Sequence, residues 1–112
     1  MDNFNIVRTE DVKGKEVKSP ELESLGEIEE IVLDKFTGEA RYVVLSFGGF
    51  LGLGEKYFAF PWKSISYNAD EECFILNINQ SKLKKEYGFD KDHWPDMATW
   101  PKTIDTYYNS LR

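Results

Sequence analysis

Few side chains in this 112-residue sequence could carry covalent or metal chemistry. Cys73 is the single cysteine and His93 the single histidine. A catalytic thiol needs a basic, partly exposed setting that stabilises the thiolate. Cys73 instead follows Glu71 and Glu72 and opens the apolar run 73–76, where a cysteine serves as a small buried hydrophobe. The sequence therefore disfavours a nucleophilic role for this thiol.

His93 lies in an acidic segment, residues 90–96, which invites comparison with metal sites. An EF-hand loop starting at Asp90 would need an oxygen ligand at position 94 and glycine at 95, where the sequence has Trp94 and Pro95. One histidine and one distant cysteine cannot complete a structural zinc site. A site shared between two copies stays open as an alternative to a solvated acidic turn. We expect no metal and no other cofactor.

Carboxylate pairs and nucleophile motifs do not indicate an enzyme. Glu29 and Glu30 are adjacent in a predicted strand, so their side chains should point to opposite faces. No Gly-x-Ser-x-Gly sequence marks a nucleophile elbow, and a serine–histidine–aspartate triad could use only His93. We therefore predict a protein without catalytic residues.

A glycine-rich segment, residues 48–54, has four glycines in seven positions and predicts a loop. Clustered backbone N–H groups could cradle a phosphate there. The sequence does not continue as a P-loop, because Glu55 follows and the next predicted element is a strand. Two interpretations remain: a packed connection between strands, or a protein contact made by Phe50, Leu51 and Leu53.

Composition and charge indicate one small soluble domain. The residues are 41% hydrophobic, and no apolar run approaches the ~20 residues of a membrane-spanning helix. Residues 1–34 contain ten acids and four bases, and residues 35–112 contain ten of each. Nucleic-acid binding usually needs a basic stripe, and only Lys82, Lys84 and Lys85 cluster. We expect a cytoplasmic protein that contacts neither nucleic acid nor a membrane.

Turn residues divide the middle of the chain into short predicted strands. An apolar-rich strand over 27–34, a turn at 35–38 and a β-branched and aromatic strand over 39–47 predict a β-hairpin. Further strands are predicted at 14–18, 57–60, 64–67 and 72–78. Several strands at about 8–12-residue spacing favour a barrel or sandwich, here a closed sheet with a packed interior.

The last third of the chain changes from strand to helix. Ser81 is predicted to cap a short helix that ends at Gly88. The sequence 99–101, Thr-Trp-Pro, predicts the start of a second helix. Its apolar face is marked by residues at helical spacing, namely Ile104, Tyr107, Tyr108 and Leu111. We expect this helix to lie against the sheet or against a second subunit.

The order of these motifs resembles the PRC-barrel family, which includes the cytoplasmic domain of the photosynthetic reaction-centre H subunit and the C-terminal domain of a ribosome-maturation factor. The similarity covers residues 9–80, and the chain departs from it at 19–23, where the family often has a glycine-bearing turn. It is carried by the opening strand 14–17, the hairpin 25–46, the glycine loop 48–54 and Phe60-Pro61-Trp62. The resemblance implies a six-stranded barrel used as an adaptor, without shared catalytic residues.

We therefore expect a mainly β protein: a PRC-type barrel of about six strands over 1–80, then a helical, aromatic-rich extension over 81–112. The predicted function is a non-enzymatic adaptor that forms a homodimer and binds an unidentified protein. The alternative is a small-ligand-binding domain whose tail covers a pocket. Aromatic residues are enriched at interface hot spots. The predicted contact residues are Phe50, Leu51, Leu53, Trp94, Trp100, Tyr107 and Tyr108.

Overall fold

One curled sheet and a C-terminal helix make up the fold in the computed structural model, which describes residues 5–47, 56–84 and 87–112. The strands are β1 (Glu16–Lys18), β2 (Ser24–Leu33), β3 (Ala40–Phe47), β4 (Lys56–Pro61), β5 (Ile65–Asn68) and β6 (Cys73–Leu76). The helices are α1 (Thr9–Val12) and α2 (Trp100–Leu111). The strand order is β4-β3-β2-β1-β6-β5, and only β1 and β6 run parallel.

The predicted fold class is confirmed, although the sheet is less closed than we predicted. The sheet is mainly antiparallel, six-stranded and followed by a helix, as a small PRC-type barrel should be. In this strand order β4 and β5 stand at opposite ends. The described strands therefore form a half-barrel rather than the fully closed sheet that we predicted, and each end strand presents an edge.

The hairpin of β2 and β3 confirms the predicted turn. Gly38 has a φ of +80°, in the left-handed region that glycine adopts without steric cost. Its backbone N–H donates to the carbonyl oxygen of Asp34 at 2.7 Å and closes the turn. The turn residues thus decide locally where the chain reverses.

A β-bulge leaves Glu29 without a partner in β3. On either side of it, Ile28 pairs with Leu45 and Ile31 pairs with Val43. Since Val43 and Leu45 are two apart and point the same way, Ile28 and Ile31 face the same interior although they are three apart. The strict alternation that we assumed for Glu29 and its neighbour is therefore wrong at this point.

The core lies on both faces of β3, which is buried from Tyr42 to Phe47. On one face Phe47 contacts Phe58 and Phe60, with ring centroids 5.2 and 6.4 Å apart. On the other face Tyr42 meets Trp100 of α2, edge to face at 5.6 Å. A strand covered on both sides can be apolar throughout, which accounts for the continuous apolar run in β3.

In the described residues, the short helix predicted from Ser81 begins as a 3₁₀ turn, Gln80–Lys82, and residues 85 and 86 of the prediction lie outside them. Its cap is Asn79 rather than Ser81, because the Asn79 carboxamide oxygen accepts from the Ser81 N–H at 3.1 Å. Asn79 also donates its backbone N–H to the carbonyl oxygen of Leu111 at 2.7 Å. The start of this turn is therefore attached to the far end of α2.

Helix α2 begins as predicted, with Pro101 in its first turn. Ile104, Tyr107 and Leu111 are buried, and Tyr108 is half-buried. The predicted apolar face is confirmed, and it packs against β4 of the same chain.

Candidate interaction surfaces

The side chains that could do chemistry are separated in the structure. Cys73 is a free, buried thiol, which confirms its predicted role as a buried hydrophobe. The exposed His93 places Nδ1 3.7 Å from the carboxylate of Asp90. Across the described ranges, no group of three or more His, Cys, Asp or Glu side chains is arranged to hold a metal ion. The candidate sites described next are surfaces.

The predicted contact residues lie in three different settings. Phe50, Leu51 and Leu53 lie outside the described residues. In the tail, Trp100 and Tyr107 are 2% and 5% exposed and belong to the core. These two side chains are not at the surface in this conformation. Tyr108 is half-buried, and Trp94 has 37% of its surface exposed.

Trp94 sits on an aromatic cluster that joins the tail to the sheet. Its ring stacks on Trp100 at 6.2 Å with an interplanar angle of 12°, and it meets Tyr57 of β4 at 6.1 Å. Phe89 closes the cluster at 5.0 Å from Trp94. Met97, three residues after Trp94, is 45% exposed. We call Trp94 and Met97 the tail patch. Both are apolar and accessible, and Trp94 packs on the rings of Trp100, Tyr57 and Phe89.

The tail also covers the edge of β4. Tyr57 donates its N–H to the Phe89 carbonyl oxygen at 3.0 Å, and Phe89 donates to the Tyr57 carbonyl oxygen at 2.9 Å. Beside this bridge, Lys56 Nζ lies 2.8 Å from Asp90 Oδ1, and this contact lowers the pKa of Asp90. The outward-facing backbone groups of Tyr57 in β4 are thereby partnered within the chain.

Tyr107 approaches the same edge with a buried hydroxyl. Burial raises the pKa of Tyr107 well above its ordinary value, and the nearby N–H of Ala59 opposes that rise. Among the described residues, no group forms a well-aligned hydrogen bond with this hydroxyl. A buried, unpaired hydroxyl destabilises the folded state, and its ionised form would do so more strongly.

Alkaline unfolding tests this burial. Because the pKa of Tyr107 is raised in the folded state, the unfolded chain ionises this hydroxyl more readily than the folded protein does. The free energy of unfolding is therefore independent of this group's titration below the ordinary value of 10.0 and falls as the pH rises above it. We expect Tyr107→Phe to raise the free energy of unfolding slightly at neutral pH, by up to about 1 kcal/mol. It should also flatten the decline in stability above about pH 10.

Urea unfolding at several pH values between about 9 and 11 measures this effect. Tyr42→Phe serves as the comparison, because burial and the nearby Asp105 also raise the pKa of Tyr42. Above about pH 10, each variant should lose less of its free energy of unfolding than the wild type, by the amount that the replaced tyrosine contributes. A Tyr107→Phe profile parallel to that of the wild type would contradict the burial of this hydroxyl.

A groove of about 380 Å³ runs between α2 and the segment 87–89. It is lined by Tyr87, Gly88, Phe89, Pro95, Thr103, Thr106, Tyr107 and Ser110. The hydroxyls of Thr106 and Ser110 donate to carbonyl oxygens of α2 at 2.7 and 2.6 Å. Their oxygens can therefore accept from a bound group, and the groove has the size of a small-molecule site.

The tip of the β2–β3 hairpin carries the most exposed aromatic side chain of the described residues, Phe36, which is 90% exposed. The Asp34 carboxylate accepts from the N–H groups of Phe36 and Thr37 at 2.8 and 3.1 Å. Arg41 Nη1 lies 3.2 Å from the other Asp34 oxygen. These backbone hydrogen bonds, with Arg41, lower the pKa of Asp34. The tip is thus held in one conformation at neutral pH.

The sequence reasoning treated residues 35–38 only as a turn and missed Phe36 as a contact residue. Two signals could have identified it. An aromatic side chain in the middle of a four-residue turn cannot reach the core of its own hairpin, and Asp34 ahead of it is typical of a rigid Asx turn. Leu33, 51% exposed, extends the apolar surface of the tip. We call Leu33 and Phe36 the hairpin tip.

The comparisons with known proteins agree with this architecture. The family model for the PRC-barrel domain matches residues 4–82. The chain belongs to the PRC-barrel family. A search of curated proteins found no match. The PRC-barrel match suggests a module of the protein-interaction type and ends before α2, which packs on the barrel as an addition to it.

The turn at residues 19–23, where the chain departs from the usual PRC-barrel pattern, contains a residue with a left-handed backbone conformation. Leu22 has a φ of 68°, which costs a side-chain-bearing residue about 1 kcal/mol relative to glycine. The turn is closed by the Leu22 N–H, which donates to the Ser19 carbonyl oxygen at 2.8 Å. The geometry is therefore one that glycine would adopt, with leucine in its place.

No helix in the described parts of this PRC-barrel protein combines the length and apolar character needed to cross a membrane.

Proposed function

We propose that this protein is a non-enzymatic adaptor of PRC-barrel type that binds a protein partner through its hairpin tip and also self-associates. The observation that carries the proposal is Phe36, 90% exposed at the end of a turn held by Asp34. An exposed apolar ring loses water contact when it enters a partner's pocket. A turn whose backbone is already held by hydrogen bonds loses little conformational entropy on binding.

Other exposed apolar residues extend the proposed contact surface. The tail patch supplies a second contact, since Trp94 is both accessible and supported by neighbouring rings. Phe50, Leu51 and Leu53 of the glycine loop are retained in the proposal as contact residues. We also propose a cytoplasmic location, with which the free thiol of Cys73 is compatible.

Affinity capture with Phe36→Ala tests the proposal. Because Phe36 contacts little in its own chain, the variant should unfold within about 0.5 kcal/mol of the wild type. Quantitative mass spectrometry should nevertheless show a specific protein that the wild type retains and Phe36→Ala loses.

Ile6→Ala is the matched control, because Ile6 is a similarly exposed apolar side chain, at 85%. It should capture the same protein as the wild type. Identical capture by wild type and Phe36→Ala would exclude the hairpin tip as the contact.

A second candidate function, small-ligand binding, is favoured by the groove between α2 and 87–89. Its volume and the hydroxyl oxygens of Thr106 and Ser110 suit a ligand that donates a hydrogen bond. Thermal-shift screening against metabolites tests this, since a ligand of the folded state raises the melting temperature. The shift should disappear in Thr103→Arg, which places a long side chain in the groove. A shift that survives this change would locate the ligand elsewhere.

A further inference from the structure

The two edges of the half-barrel differ in how far other segments of the chain cover them. The edge of β4 is bridged by Phe89 through two backbone hydrogen bonds. The N–H of Ile65, the first residue of β5, donates to the carbonyl oxygen of Trp62. Among the described residues, the rest of β5, residues 66–68, makes backbone hydrogen bonds only in its ladder with β6. An edge strand with unpaired N–H and C=O groups is a template for another strand. The β5 edge is therefore the place where the sheet can be extended.

Apart from its short length of four residues, β5 lacks the usual protections of an edge. Its sequence, Ile-Ser-Tyr-Asn, contains no charge and no proline, and its register with β6 is regular, without a bulge. Charged residues, proline and bulges are the means by which natural edges avoid pairing. Tyr67 in its centre is 53% exposed, and its ring lies 5.1 Å from that of Phe74.

Charges of opposite sign flank the strand. Lys63 precedes β5, and the turn containing Asp70 and Glu71 follows it. Among the described residues, Lys63 and Asp70 make no ion pair within 4 Å, and Glu71 makes one contact, with Lys18 at the limit of 4.0 Å. An antiparallel copy of the same segment would reverse this order of charges.

We propose that two copies of this protein pair through β5, antiparallel, about a two-fold axis that passes between their Tyr67 residues. An axis at this point makes Tyr67 its own partner, and cross-strand aromatic pairs stabilise a sheet. It also brings the turn before the strand, with Lys63, towards the turn after the strand of the other copy, with Glu71, so that opposite charges face each other at both ends of the pairing. The inference rests on the self-association part of the proposed function and names its interface.

The arrangement is isologous and closed. Directly opposed residues of an antiparallel pair point to the same face of the sheet, and a two-fold axis perpendicular to the sheet preserves that face. The two half-barrels then share one continuous sheet. The hairpin tip is not part of this pairing, so a dimer presents two copies of Phe36 to its partner.

A disulfide at the axis tests the register. In Tyr67→Cys the two introduced side chains would have Cβ atoms about 5 Å apart, and mild oxidation should link the copies rapidly. Lys102→Cys, on the exposed face of α2, is the control for random collision. The native Cys73 is buried and does not compete. Crosslinking of Tyr67→Cys no faster than that of the control overturns the proposal.

Charge reversal tests the same interface by sedimentation. Lys63→Glu and Glu71→Lys should each weaken dimerisation about tenfold, because each places two like-charged pairs across the axis. The double variant should restore the wild-type association. Failure of this rescue, with both single variants weakened, overturns the pairing and leaves self-association intact.

A wild type that stays monomeric at high concentration overturns both this interface and self-association. Capture through Phe36 is measured separately and would still stand, so that the two failures can be told apart.

Discussion

Replacing Trp100 with alanine is expected to lower the free energy of unfolding by about 4 kcal/mol. Trp100 is 2% exposed and makes ring contacts with Tyr42, Phe89 and Trp94 at 5.6 to 6.2 Å. Its loss would leave a cavity against β3, where Trp100 contacts Tyr42. Such a cavity cannot collapse, because the sheet below it is held by backbone hydrogen bonds on both sides.

Urea unfolding followed by circular dichroism measures this loss. Trp94→Ala is the matched control, since it removes the same type of side chain from a position with 37% exposure, and it should cost about 1–2 kcal/mol. A loss below about 1 kcal/mol for Trp100→Ala would mean that the tail is not part of the folded unit in solution. The expected large loss would show that the tail folds together with the barrel.

The second large effect is expected at Gly26, where alanine should destabilise the protein by about 3 kcal/mol. A Cβ at Gly26 would collide with the carbonyl oxygen of Ser46 and would lie 3.2 Å from the ring of Phe47. Neither neighbour can yield easily. Ser46 is held in β3 between two ladders, and Phe47 is 1% exposed. The close approach of β2 to β3 at this point depends on the missing side chain.

Thermal and urea unfolding of Gly26→Ala measure this cost. Ser24→Ala, at an exposed position two residues earlier in β2, should stay within about 0.5 kcal/mol of the wild type. A loss below about 1 kcal/mol for Gly26→Ala would show that the strands separate without penalty, contrary to the observed packing.

The elements that local chemistry decides were predicted from sequence. The β2–β3 turn follows from Gly38, and the start of α2 follows from Pro101. All six strands lie where the pattern indicated, although β6 is shorter than 72–78. The bulge at Glu29 escaped prediction because its register depends on the partner strand. The attachment of Asn79 to Leu111 escaped because the two residues are far apart along the chain.

The sequence by itself determined the strands, the hairpin and the apolar face of α2, since each depends on residues that are close along the chain. Only the tertiary structure decided which aromatic side chains are accessible. Trp100 and Tyr107, predicted as contacts, are covered by the sheet, whereas Phe36 in the hairpin tip projects into solvent. Exposure depends on which elements from other parts of the chain lie above a side chain. For the same reason, the tail covers the edge of β4 and leaves that of β5 open, which no local pattern could indicate.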